Sequence, residues 1–387
     1  MAFQATILSQ VLRNVNRSEF QNQVSKFKGD YRIRTVSCYS LLVILIYSQL
    51  KTRESLRQTV LGLGMMVGQF YHLGLSSVKR STISDALEKR SYHIFEQYFF
   101  QHLRSLSRSE RRKLGTRLHL VDSSTISLCL NTYRWAKFRK TKAGIKLHTM
   151  YDPDDGVPEL VYITNAQQHD IKAIKNIIQF QPGEMYVYDR GYCGYNYLYS
   201  IELEGAFFVT RLKSNWKIKV TKRLSVPAGS HVRRDEIISV DGNKAKDYPR
   251  TLRLVTFYHA ESKKVFQFLT NNFDLSGEEI AQTYKTRWQI ELFFKWMKQH
   301  LKIKSYLSTS ENGFRVQVWS ALITFLLLRT IHNQIEKHID FFQVLLRIEA
   351  CIDKRLELYE LLTSEINGEI PRARSQKSHQ KELQFDS

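Results

Sequence analysis

Tyr284, Arg287, Glu291 and Lys298 stand at intervals that let them act together. At about 100° per residue they fall within roughly 60° of one another on one helical face. Ile290, Phe293, Phe294, Met297 and Leu301 fall on the other side, as the stripe that meets a core. A carboxylate on such a face can hold a divalent cation, and the cations beside it can hold phosphates, Arg as a bidentate fork and Lys as a point charge. Upstream, Asp122 follows the apolar run Leu118–Val121, and Asp189 follows Met185–Tyr188. Asp, Asp and Glu in that order, two at strand positions and one on a late helix, form an all-oxygen ligand set. It suits Mg²⁺, with Mn²⁺ as substitute, and shared carboxylates can hold two ions about 3.5–4 Å apart. One ion would activate water or a 3′-hydroxyl and the other would stabilise the departing oxyanion of a phosphodiester.

The elements that position these residues are readable in outline. Residues 1–110 contain no proline and read as helices, including Val36–Leu50 and Glu54–Gly62. A short helix follows Ser81, its expected N-cap, with Lys79, Arg80, Lys89 and Arg90 around it; such a helix can enter a DNA groove. Leu118–Leu130 reads as a strand with a kink at its serines, and Lys146–Met150 and Leu160–Thr164 as two more strands. Asp170 is expected to cap a helix bearing Ile171, Ile174, Ile177 and Ile178. A buried strand ending at Asp189, a helix near Tyr195–Glu204 and a strand Ala206–Leu212 complete a mixed α/β core. Residues 213–275 read as strands rich in Lys and Arg, and Phe314–Ile335 and Phe341–Leu362 as long helices before a polar tail beyond Glu365.

The chain carries 58 Lys+Arg against 37 Asp+Glu, a formal charge of +21 that points to a polyanionic partner, nucleic acid being the usual one. No basic amphipathic anchor or lipidation motif suggests a membrane surface. Cys38, Cys129, Cys193 and Cys351 form no Cys-x-x-Cys pair, so neither a zinc ribbon nor a disulfide framework is indicated, and a reduced cytosolic compartment fits. The apolar runs Leu41–Ile46 and Ala321–Leu328 fall short of the ~20 residues that span a bilayer, and the N-terminus lacks a signal-peptide pattern.

The spacing Tyr284-x2-Arg287-x3-Glu291-x6-Lys298 resembles the signature of DDE transposases of the family named after insertion sequence 4. Val121-Asp-Ser-Ser-Thr125, Gly144-Ile-Lys-Leu-His148 and Tyr188-Asp-Arg-Gly-Tyr192 resemble further segments of that family. The resemblance implies a ribonuclease H-like catalytic core over 111–212 and 276–304, interrupted by a β-rich insertion at 213–275 that contacts DNA. It also implies a helical domain at 1–110 that recognises element ends and a helical C-terminal region at 305–387 that dimerises. Asp122, Asp189 and Glu291 would be the catalytic, metal-binding residues, and Tyr284, Arg287 and Lys298 the contacts to the DNA backbone. Lys146 and His148 are assigned no role, because a strand histidine is more often structural.

The implied activity is cut-and-paste transposition of an insertion sequence by a homodimer on double-stranded DNA, its inverted-repeat ends and its target. The expected location is the bacterial cytoplasm, at the nucleoid, with no membrane and no small-molecule substrate involved. Two alternatives remain open on the sequence: a DNA-binding regulator that keeps the fold without activity, and a nuclease of the same core that cuts without joining strands.

Overall fold

A computed structural model describes residues 5–53, 55–76, 79–107, 117–175, 177–299, 307–335 and 339–364. Leu301 and the basic tail with Arg372, Arg374, Lys377 and Lys381 lie outside the described residues.

Among the described residues, the chain opens with α-helices α1 (Ile7–Leu12), α2 (Arg17–Lys26), α3 (Cys38–Leu50), α4 (Leu56–Gly64), α5 (Phe70–Leu73), α6 (Arg80–Lys89) and α7 (Tyr92–Ser107). Strands β1 (Leu118–Leu128), β2 (Lys137–Arg139), β3 (Lys142–Asp152) and β4 (Val157–Asn165) follow, then α8 (Asp170–Ile174), β5 (Met185–Tyr188), α9 (Tyr195–Leu203) and β6 (Phe207–Arg211). Next come β7 (Ile218–Arg223), β8 (Val232–Val240), β9 (Leu252–His259) and β10 (Lys264–Thr270). Helices α10 (Gly277–Lys285), α11 (Trp288–Gln299), α12 (Glu311–Asn333), α13 (Phe341–Cys351) and α14 (Leu358–Thr363) close the described chain.

The described residues fall into two compact units, one within 1–112, 126–143 and 295–368, the other within 113–125 and 144–294. In the first, side chains of Thr6, Asn16, Ser37 and Ser55 each accept the N–H three residues on, and so start α1 to α4. The expected Ser81 cap is not made: α6 begins at Arg80, behind Lys79, without a side-chain cap. Arg90 is buried and donates to the Val36 carbonyl at 2.8 Å, so it braces the fold and does not join the exposed Lys79, Arg80 and Lys89. Helix α12 is long and apolar enough to cross a bilayer, yet 83% of its apolar window is buried within the protein, as in a core helix. Trp319 packs on Phe99 and Phe100 at 5.4 and 5.6 Å, and the Asn312 amide donates to the Leu87 and Arg90 carbonyls that end α6. The helix expected over Phe341–Leu362 divides into α13 and α14.

The second unit is built on a sheet in the order β4-β3-β1-β5-β6-β10-β9-β8-β7, and short β2, within the first unit, pairs with Lys142 and Ala143 at the start of β3. Strands β1, β5 and β6 run parallel, and β10, β9, β8 and β7 continue antiparallel, so the lysine-rich stretch extends the same sheet. Strand β5 is buried along its whole length, as its unbroken apolar run requires. Tyr186, Tyr188 and Phe208 of the sheet share a core with Ile174 of α8 and Tyr197 and Leu198 of α9, and the Tyr197 hydroxyl donates to that of Tyr188 at 3.1 Å. Strand β1 runs unbroken through its serines, where the sequence suggested a kink. Helix α8 is a single short turn opened by His169, not by Asp170.

Candidate active site

Strand register brings the two aspartates together. In the parallel pair β1/β5, Val121 stands opposite Tyr188, and in β5/β6 Tyr188 stands opposite Thr210. The next residue on each chain is Asp122, Asp189 and Arg211, at the carboxyl ends of β5 and β6 and beside them on β1. In open sheets with parallel strands, that edge is where ligands are received.

The helical segment supplies the third carboxylate. Its pattern is interrupted where the sequence reads as continuous: α10 stops at Lys285 and α11 starts at Trp288, with Thr286 and Arg287 in the turn between. A capping box between Ser276 and Glu279 fixes the start of α10. As the stripe requires, Ile290, Phe293, Phe294 and Met297 are buried. Arg287 Nη1 donates to Asp122 Oδ2 at 3.2 Å and Nη2 donates to Glu291 Oε1. Tyr284 is also buried, with Arg287 Cζ 5.6 Å from its ring centre. Lys298 is half-buried, farther along α11.

Electrostatics follow from this crowding. Burial pushes the Asp122 carboxyl up to about 7, opposed by Arg287 and by the Ser123 N–H, and reinforced by the Asp189 and Glu291 charges. Burial likewise lifts the Tyr284 phenol to about 12, with Arg287 opposing and Asp189 reinforcing. Burial would lower the Arg287 guanidinium, but Tyr284, Glu291, Asp122 and Asp189 hold it above its ordinary value. Arg211 is lowered, chiefly by burial, and feels Tyr284, Arg190, Asp189 and Arg287 as neighbours. Nothing in the sequence marks Arg211; the β5/β6 register points to it.

Among the described residues, no group of three or more His, Cys, Asp or Glu side chains is gathered closely enough to hold an ion; Asp122 and Glu291 are spanned by the Arg287 fork. The residues nonetheless fit a hard divalent cation. Every donor is a carboxylate oxygen, the kind of ligand such an ion takes, and the Asp189 and Glu291 charges both act on Asp122.

A fourth acid, Asp170, also reaches this edge. Its Oδ1 accepts from Ser123 Oγ at 2.7 Å and from Lys146 Nζ at 3.0 Å. The sequence signal for Lys146 and His148 is their i, i+2 spacing on β3, which puts both on the face toward Asp170. Farther along the sheet, Lys217, Lys219, Lys222 and Arg223 are exposed on and beside β7. Trp216 stacks on Tyr195 with ring centres 3.8 Å apart and is half-buried, in keeping with a packed tryptophan.

Residues 113–327 match the family described as Transposase DDE domain, and residues 3–76 match a domain of unknown function, DUF4372. A protein of Sinorhizobium fredii named as transposase y4zB is 37% identical over 64% of this chain and 70% of its own. One from Geobacillus stearothermophilus, named as a transposase for insertion sequence element IS5377, is 29% identical over 79% of each chain. One from Synechocystis, named as a transposase for insertion sequence element IS4SA, is 28% identical over 69% of this chain and 76% of its own. With its domain match covering more than half of its length, this chain belongs to the DDE transposases, of the insertion-sequence type that its motifs resemble.

Proposed function

We propose that this protein catalyses cut-and-paste transposition of an insertion sequence. Its reaction would hydrolyse a phosphodiester at each element end and transfer the freed 3′-hydroxyl to target DNA. The observation that carries the reading is the register that sets Asp122 beside Asp189, with Glu291 tied to Asp122 through Arg287. Asp122, Asp189 and Glu291 would hold the divalent ions, Mg²⁺ or Mn²⁺, which when bound supply activation of the attacking oxygen and stabilisation of the leaving one. The sheet order β4-β3-β1-β5-β6, with β1, β5 and β6 parallel, supports a ribonuclease H-like core, and β7–β10 its β-rich insertion.

Arg287 balances two carboxylates with one fork, and a non-bridging phosphate oxygen is chemically an equal partner for that fork. Tyr284 sets the guanidinium by packing against it, and Lys298 adds a cation on α11; in this reading all three serve the DNA backbone near the cut. The helices of 1–110 would bind element ends, those of 305–387 would join two protomers on DNA, and the complex would act at the nucleoid.

The test is cleavage of DNA carrying the gene's own flanks, with and without Mg²⁺, by wild type and Glu291→Gln. Metal-dependent cuts at both flanks by wild type alone, with 3′-hydroxyl ends that join a second DNA, support the reading. Binding without cutting by either protein supports the regulator, and cutting without joining supports the nuclease.

A further inference from the structure

Asp170 is an acid at the candidate active site to which the transposase reading gives no task. Its Oδ1 accepts from the Ser123 hydroxyl at 2.7 Å and the Lys146 ammonium at 3.0 Å, and His148 Nδ1 lies 3.6 Å away without a hydrogen bond. Lys146 is itself fixed, because Nζ also donates to the Gln168 carbonyl at 3.3 Å. His148 is fully buried, its Nε2 bonded to Thr164 Oγ1 at 2.9 Å, and burial pushes the ring down to about 4, so it stands there neutral. Among the described residues, Lys146 is the cation bonded to Asp170 and Ser123 its hydroxyl donor.

Ser123 links this group to the reaction. Its side chain is held by Asp170, while its backbone N–H donates to Asp122 Oδ1 at 2.7 Å. That bond leaves Asp122 Oδ2 turned to Arg287. On the other side, a Cβ built at Gly191 would lie 3.7 Å from Asp189 Oδ2 and 3.9 Å from Asp170 Oδ2, so the missing side chain keeps the space between these two carboxylates open.

We propose that Asp170, balanced by Lys146, is a positioning residue: it fixes Ser123, and through the Ser123 N–H it fixes the orientation in which Asp122 offers its oxygens to a divalent ion. The proposal rests on the reading of Asp122 as a metal-binding carboxylate. Groups that orient metal ligands without touching the metal typically change affinity or activity by about 10–100-fold when removed. The alternative is that Lys146 and Asp170 only pin α8 to β3, which would change stability and leave ion binding alone.

The experiment uses the full chain with Ser123→Ala, Ser123→Thr, Asp170→Asn and the double variant Ser123→Ala/Asp170→Asn. Mn²⁺ binding without DNA is read by electron paramagnetic resonance, and the Mn²⁺ dependence of end cleavage is read in parallel. Ser123→Ala and Asp170→Asn should each raise the half-saturating Mn²⁺ about tenfold. Ser123→Thr, which keeps the hydroxyl, should recover most of that loss, and the double variant should be little worse than either single one. Half-saturation unchanged in both single variants, multiplicative losses in the double, or no difference between Ser123→Ala and Ser123→Thr would each overturn the proposal. Should Asp170→Asn fail to fold, the Ser123 pair decides alone. If Glu291→Gln binds Mn²⁺ as well as wild type and wild type shows no metal-dependent cutting, it is the transposase reading that falls.

Discussion

Arg287 and Asp122 are 165 positions apart in the chain, yet Nη1 of one lies 3.2 Å from Oδ2 of the other, while the second arm of the same guanidinium bonds Glu291. One planar cation thus ties the strand carboxylate to the helix carboxylate. The turn at Thr286 and Arg287 makes this possible, because a residue between two helices can aim at a neighbouring strand.

Arg287→Lys should separate charge from geometry. Lysine keeps the charge but cannot span Asp122 and Glu291 as a fork does. End cleavage should fall about 100-fold or more, a typical loss when an active-site electrostatic donor is removed. Arg287→Met should in addition lower stability by about 1.5–3 kcal/mol, the range for bonds to charged groups, because the fork that joins Asp122 to Glu291 is lost. Urea unfolding and single-turnover cleavage read the two effects; equal cleavage by Arg287→Lys and wild type would remove the fork from the mechanism.

The candidate site was legible where its residues are marked by local pattern. Asp122 and Asp189 each follow a short apolar run, and the interval from Tyr284 to Lys298 carries the family pattern. What was not legible depends on tertiary register. The stretch Tyr284–Lys298 keeps an unbroken helical period, so nothing in the pattern announces the turn at Thr286–Arg287 or the burial of Tyr284. Asp170 reads as a helix cap because Asp before an apolar stripe usually is one, and its real partners, Ser123 and Lys146, are 47 and 24 positions away. Arg90 looks like a free surface cation for the same reason, and only the fold turns it inward to Val36.

Arg253 on β9 and Asp235 on β8 form a buried two-armed pair, Nε to Oδ1 at 2.9 Å and Nη2 to Oδ2 at 2.7 Å. Arg253→Met would strand a buried carboxylate and should cost about 3–5 kcal/mol in urea unfolding. Replacing both, Arg253→Met with Asp235→Leu, should recover most of that loss, because no buried charge is left unpaired. A double variant as unstable as the single one would show that the pair shapes the sheet in some other way.

His119 is held between two acids, Nδ1 at 2.6 Å from Glu159 and Nε2 at 2.7 Å from Glu184. Burial would lower its pKa, but Glu159 and Glu184 overcome this and hold it above the ordinary histidine value. A group raised on folding stabilises the folded state fully below its unfolded pKa, about 6.5, and loses that contribution as pH rises through the higher folded value. The stability difference between wild type and His119→Gln should therefore be largest in mild acid and shrink above neutrality. Parallel stability curves across that range would rule out a charged His119.

The basic strand offers the most direct test of where DNA lies. Lys219, Lys222 and Arg223 are exposed on β7, the edge strand of the sheet, and Arg223 keeps 79% of its side-chain surface despite its contact with Glu236. If these side chains meet phosphates, each neutralised phosphate steepens the salt dependence of binding by about 0.9 in log–log slope. Lys219→Ala/Lys222→Ala should then weaken binding of element ends and random duplex alike, and flatten the slope by about 2. Cleavage at saturating protein should stay near wild type, because neither lysine belongs to the group around Asp122, Asp189 and Glu291. An unchanged slope would mean that β7 faces solvent in the complex, and the excess charge would have to act through other parts of the chain.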